Sequence, residues 1–162
     1  MPLPSLLQIQ SVLAQEPDGA LSPLRCAVLR NITLEPLALY YRYLARQMGL
    51  EAKVQFGEYA QILPEALGAN PGLLGSEVDV VSVFFWLNAS SDALFYNYPS
   101  LNEDQIATEV EGVKEYASAT IAGIRRQTSA MLLWHGFELP AYPVMGILNT
   151  APDQSEVIAQ LN

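Results

Sequence analysis

The chain has 162 residues, 51% hydrophobic and 15% charged, with 8 basic against 17 acidic side chains and a formal net charge of −9. Apolar content this high argues against disorder, and one cysteine (Cys26) with one histidine (His135) excludes a disulfide scaffold and disfavours a Cys/His zinc site. The acidic excess argues against a nucleic-acid or anionic-membrane surface, and no apolar run approaches the ~20 residues of a membrane span. These features predict one soluble, cytoplasmic domain with no metal and no cofactor.

Residues 1–23 read as an amphipathic helix and linker, and residues 24–162 as the domain body. In the first segment Leu6, Ile9 and Leu13 recur at helical spacing, with no basic residue ahead of them, so no signal peptide is expected. LRCAVLR, from Leu24, reads as a buried strand. A helix follows, with Thr33 as N-cap, Pro36 in its first turn, Gly49 beyond its end and Leu37, Tyr41, Leu44 and Met48 as the inward stripe. The alternating segment Ala52–Phe56 is a second strand, and residues 58–67 a helix bent at Pro64. DVVSVFFWLN (79–88) is the strongest strand, hydrophobic enough to be buried on both faces.

After a loop from Ala89 to Leu101, Asn102 caps the longest helix, which runs to Gln127 with Ile106, Val110, Val113, Ala117, Ile121 and Ile124 inward. SAMLLWHGF is a fourth strand. A proline-rich loop (Pro140, Pro143, Gly146) then leads to a last helix near Asp153. The order β-α-β-α-β-α-β-α predicts an α/β fold, an open parallel sheet in a flavodoxin-like three-layer αβα arrangement that lacks its last strand. In such a sheet ligands bind at the carboxyl ends of the strands, here Asn31–Thr33, Gly57, Asn88 and His135.

Charge is unevenly placed. Residues 1–60 hold five acids and five bases, whereas residues 61–162 hold twelve acids and three bases, so the whole −9 lies in the second part. The neutral first part, with Arg25, Arg30, Arg42 and Arg46, is where an anionic ligand or partner would be tolerated.

Few known chemistries fit the strand ends. Arg30-Asn31-Ile32-Thr33 contains no glycine, which disfavours a P-loop or dinucleotide site, and neither Gly-x-Ser-x-Gly nor Asp-x-Asp occurs. A Ser-Gly-Asn-His (SGNH) esterase needs a serine after its first strand and an asparagine after its third. Here Ile32 stands in the nucleophile's place, Asn88 keeps the asparagine position, and the Asp-x-x-His segment is expected to fall beyond residue 162. Arg30 reads either as an anion ligand beside the next helix or as the partner of Glu35. His135 reads as a structural or a ligand-contacting imidazole.

Several stretches in order carry a resemblance: AVLRNITLEPL, VQFGEYAQIL, VDVVSVFFWL and WHGFELPAYPVMGI. Together they resemble the N-terminal, SGNH-hydrolase-like domain of FkbH-like proteins, members of the haloacid-dehalogenase (HAD) superfamily in polyketide biosynthesis. The resemblance spans residues 24–162. It implies that a separate HAD-type domain, carrying the Asp-x-Asp that this chain lacks, moves a glyceryl unit onto an acyl carrier protein. It also implies that a further strand follows Asn162.

Three functional expectations result. The first is a non-catalytic accessory or interaction domain, with a catalytic HAD-type domain or an acyl carrier protein as partner and no catalytic residue of its own. The second is an SGNH-type esterase or acyltransferase-like domain using Thr33 or Ser90 with His135 as base. The third is a small anionic ligand site formed by Arg30, Asn31, Thr33 and Asn88, with His135 beside the crevice.

Overall fold

The computed structural model describes residues 4–17, 19–141 and 153–162. The motif residues Tyr142, Pro143 and Gly146 lie outside them. Four parallel strands form one sheet: β1 (Ser22–Arg30), β2 (Leu50–Phe56), β3 (Val80–Phe84) and β4 (Met131–His135), in the order β2-β1-β3-β4. The open parallel α/β arrangement expected from the element order is therefore present. The central strands are the apolar ones, since the last five residues of β1 and the last four of β3 are buried.

Alternation of period two divides the sheet's side chains between two helical layers. Ala27, Leu29, Val81, Val83, Leu132 and Trp134 pack into one core with α3 (Ile62–Ala66) and α5 (Glu103–Gln127). Cys26, Val28, Arg30, Ser82, Phe84 and His135 belong to the opposite face. There α2 (Leu37–Gln47) sits, with Tyr41 Oη 3.3 Å from Ser82 Oγ. α1 (Leu6–Leu13) lies on α2 with Ile9 fully buried, and Arg46 Nη1 of α2 donates to Val12 O and Gln15 O at 2.8 and 2.9 Å.

Sequence signals account for the best-formed helix. Asn102 and Gln105 make a reciprocal capping box at 2.9 Å each. Glu103 and Asp104 occupy the first turn of α5, with Arg125 and Arg126 in the last, matching the helix dipole. Local expectations change at several places: the helix expected over residues 58–67 is only α3, and the strand expected over 79–88 ends at Phe84. Thr33 caps nothing: a turn closed by Leu37 N donating to Leu34 O precedes α2, and Pro36 is its N-cap. Leu44 and Met48 face solvent at 49% and 76% exposure, because α2 approaches the body through small Ala45. Ile121 is likewise 38% exposed, while Thr120 and Gly123 face inward. The loop after β3 holds a 3₁₀ turn at Leu87–Ala89, α4 (Asp92–Phe95, capped by Ser91) and a second 3₁₀ turn at Tyr98–Ser100.

α6 (Gln154–Gln160) starts where a helix is expected, with Asp153 as its N-cap, and brings Val157 and Ile158 into the α3/α5 core. Gln154, 1% exposed, donates through Nε2 to Leu94 O and Phe95 O at 2.8 and 2.7 Å, tying α6 to α4. Among the described residues no strand follows β4.

α3 and α5 approach closely at Gly123. A Cβ at Gly123 would lie 2.5 Å from the backbone oxygen of Ala66, whereas a Cβ at Gly112, on the same helix, meets nothing within 4 Å. Gly123→Ala is expected to lose roughly 1–3 kcal/mol through the forced separation. Gly112→Ala should gain about 0.5–1 kcal/mol through helix propensity. Urea unfolding of the two variants checks the opposite signs.

Candidate functional site

The carboxyl ends of β1 and β3 lie side by side where the strand order reverses, since the chain leaves β1 toward β2 and β3 toward β4. Backbone groups just past both strands must find partners there. Asn31, 5% exposed, supplies them: Oδ1 accepts from Trp86 N at 2.8 Å, and Nδ2 donates to Trp86 O and Ser90 Oγ at 2.8 Å each. Ser90 Oγ also donates to Trp86 O at 2.9 Å. Asn31 thus spans the gap between the two central strands.

The next two donors past β3 are filled from β4's side. Glu138 accepts from Leu87 N through Oε2 at 2.9 Å and from Asn88 N through Oε1 at 2.8 Å. No spacing in the sequence announces this, because Glu138 is 50 residues or more from both partners.

The predicted site residues separate between two faces. Arg30 and His135 flank Phe84 in one row, because Phe84 pairs in register with both. Arg30 Nη2 pairs with Glu35 Oε1 at 2.5 Å, as one of the two sequence readings expects. Its guanidinium lies 5.1 and 5.9 Å from the ring centres of Phe56 and Tyr59. His135 stacks on Phe84 at 3.6 Å, and burial lowers its pKa below the usual 6.5. Arg30 Nε and His135 Nε2 are buried with no hydrogen-bond partner. Thr33 is exposed, and Asn88 takes part through its backbone. The Ser90 hydroxyl is bonded to Asn31 and Trp86, not to His135, so the expected hydroxyl–imidazole pair is not formed.

On the other face, Asn31 and Ser90 border a cleft of about 360 Å³ beside α5, with Ile62, Phe85, Val113, Tyr116 and Glu109 also in its wall. Cys26 is buried within β1, and burial, reinforced by the Asp79 charge, raises its thiol pKa, so it behaves as a small core side chain. Among the described residues no helix is long and apolar enough to cross a membrane, and no three potential metal ligands gather.

No family model matches the chain, and no curated protein matches its sequence. Among solved structures it is similar to the N-terminal part of protein BF1531 from Bacteroides fragilis, described as containing a phosphatase domain and complexed with Mg. The likeness has a TM-score of 0.67 and 16% identity and covers 98% of this chain. The chain spans 40% of that structure's length, and at this identity the likeness shows the fold.

Removing the Asn31 amide would leave the Trp86 N–H without its partner and the Trp86 carbonyl with Ser90 alone. Asn31→Ala is therefore expected to cost on the order of 2–3 kcal/mol, measured by urea unfolding. Asn31→Asp should also destabilise, because a carboxylate oxygen would replace the donor that faces Trp86 O.

Proposed function

We propose that this α/β unit is a non-catalytic accessory domain that accompanies a separate phosphatase-type catalytic domain. The observation that carries the reading is Glu138. Its carboxylate accepts from the backbone of Leu87 and Asn88, which sets a fixed negative charge beside the asparagine position at which a hydrolase of the SGNH pattern stabilises an oxyanion, while Ile32 stands in the nucleophile's place. A built-in anion on those donors suits a scaffold better than a reaction centre. Two further points support it: the FkbH-like resemblance, and the fold neighbour's phosphatase domain within a chain of which this one spans 40%. In the finer form of the proposal, the attached domain is HAD-like and loads a glyceryl unit onto an acyl carrier protein.

An acidic carrier would dock on the neutral first part, with a smaller set of arginines than the sequence offers. Arg25 pairs with Glu77, Arg30 with Glu35, and Arg46 holds α1, which leaves Arg42 exposed on α2. Two measurements test the accessory reading. The protein from its native source is expected to exceed 17.8 kDa, the mass of this chain, by that of a catalytic domain. The isolated chain is expected to show no ester turnover above buffer. Turnover that disappears in Asn88→Ala or Ser90→Ala overturns the reading.

A second reading, a small-anion site, is favoured by one observation: the Nε of Arg30, with its side chain 8% exposed, is buried and unpartnered at a strand end, in the row that also holds His135. Asn31, Thr33 and Asn88 would contribute only through backbone or neighbouring positions. Under this reading millimolar phosphate raises the thermal midpoint of the wild type and not of Arg30→Ala. No shift in the wild type rejects it.

A further inference from the structure

The cleft beside α5 has a chemistry unlike that of the Arg30–His135 row, and the accessory reading makes no use of it. Part of its wall is apolar: Ile62, Phe85 and Val113, with Tyr116 stacked on Phe85 at 4.7 Å between ring centres. The charged group on its wall is the half-buried carboxylate of Glu109. Ser91 Oγ donates to Glu109 Oε2 at 3.0 Å and is itself held by accepting from Leu94 N at 3.1 Å. Among the described residues, Glu109 Oε1 has no hydrogen-bond partner, and no lysine or arginine pairs with this carboxylate or lines the cleft.

Past Glu109 the groove continues into a depression of about 280 Å³ with a second acid, Asp104, in its wall. Ala60, also on the cleft wall, holds φ at +57°, a left-handed backbone that a residue with a Cβ adopts at a cost of roughly 1 kcal/mol or more.

A partly desolvated carboxylate with one oxygen fixed and one open, beside an apolar surface, has a definite complement. An anion would meet Glu109 with no cation to offset it. A purely apolar ligand would strip water from Oε1 and return no hydrogen bond. We propose that this cleft binds a small organic cation, an ammonium or amidinium group on a compact apolar body. Glu109 is its counter-ion, and Ile62, Phe85 and Val113 lie against the body. The cleft volume falls within the ~300–1,000 Å³ typical of small-ligand sites. The site lies at the strand-order reversal and stands whether or not the accessory reading holds.

Phenethylammonium is the probe, hydrocinnamate the anion of matching shape, and Nα-acetyl-lysinamide the stand-in for a protein's lysine side chain. Each is titrated into the protein by calorimetry and by amide NMR spectra. Glu109→Gln keeps an acceptor for Ser91 Oγ and removes the charge. Gly112→Leu fills the cleft from a wall position where a Cβ meets nothing within 4 Å.

Saturable binding of phenethylammonium is expected, roughly tenfold weaker in Glu109→Gln and lost in Gly112→Leu, with hydrocinnamate inert. The lysine derivative should bind more weakly, since its slender chain leaves the apolar wall uncovered. Absence of saturation by about 20 mM probe overturns the proposal. So does equal binding of hydrocinnamate, unchanged binding in a folded Gly112→Leu variant, or tighter capture of the lysine derivative. Should Gly112→Leu fail to fold, the probe-induced amide shifts of the wild type decide. Shifts centred on Thr108, Glu109 and Gly112 support the cleft, and shifts centred elsewhere overturn it.

Discussion

Two parallel strands that part company at their carboxyl ends leave backbone groups that neither strand can satisfy. This constraint shapes the molecule. β1 and β3 pair through Arg30 and Phe84, and beyond that point their chains turn to opposite sides of the sheet. A buried, unpaired donor or acceptor costs about 1–3 kcal/mol. Asn31 meets both needs of Trp86 with one planar amide, and Glu138 meets those of Leu87 and Asn88. An amide serves at the first position because both a donor and an acceptor are required. A carboxylate serves at the second because both partners are N–H groups.

The same economy limits the chemistry available at the strand ends. Ser90 is held by Asn31 and Trp86, and the backbone N–H of Asn88 by Glu138, so both positions help keep the loop after β3 in place. Glu65 Oε2 is buried without a partner in α3, and three further polar atoms without partners fall on two separate surfaces. Arg30 Nε and His135 Nε2 lie in the α2-facing row, where the guanidinium also rests near two aromatic rings. Glu109 Oε1 lies in the cleft on the α5 side. A sheet only one residue thick thus keeps the Arg30–His135 row and the Glu109 carboxylate on separate surfaces.

Internal bonding also redistributes the charge. The balanced first part of the chain has most of its arginines committed within the fold: to Glu77, to Glu35 and to the backbone of α1 and the residues after it. The exposed Arg25–Glu77 pair adds little stability, but it and the Arg30–Glu35 pair neutralise the local field that a negative partner would feel.

Much of the architecture was legible in the chain. Continuous apolar runs marked the central strands and alternation marked β2. The Asn102–Gln105 pair marked the start of α5, and the βα order implied a parallel sheet, because these signals depend on neighbours within a few residues. Inward faces were less legible. Leu44, Met48 and Ile121 suit a helical stripe, yet small side chains or backbone at Ala45 and Gly123 make the contact, since close helix approach favours what is small over what is apolar. The candidate site was legible only in part. Strand-end positions such as Arg30, Asn31 and His135 follow from element order. That Arg30 and His135 share one face, that Asn31 clamps the two central strands, and that Glu138 and Glu109 meet the groups they do were decided by tertiary structure. The partners of Asn31, Glu138 and Glu109 lie between 18 and 59 residues away, and no local pattern encodes a contact that only the closing of the sheet creates.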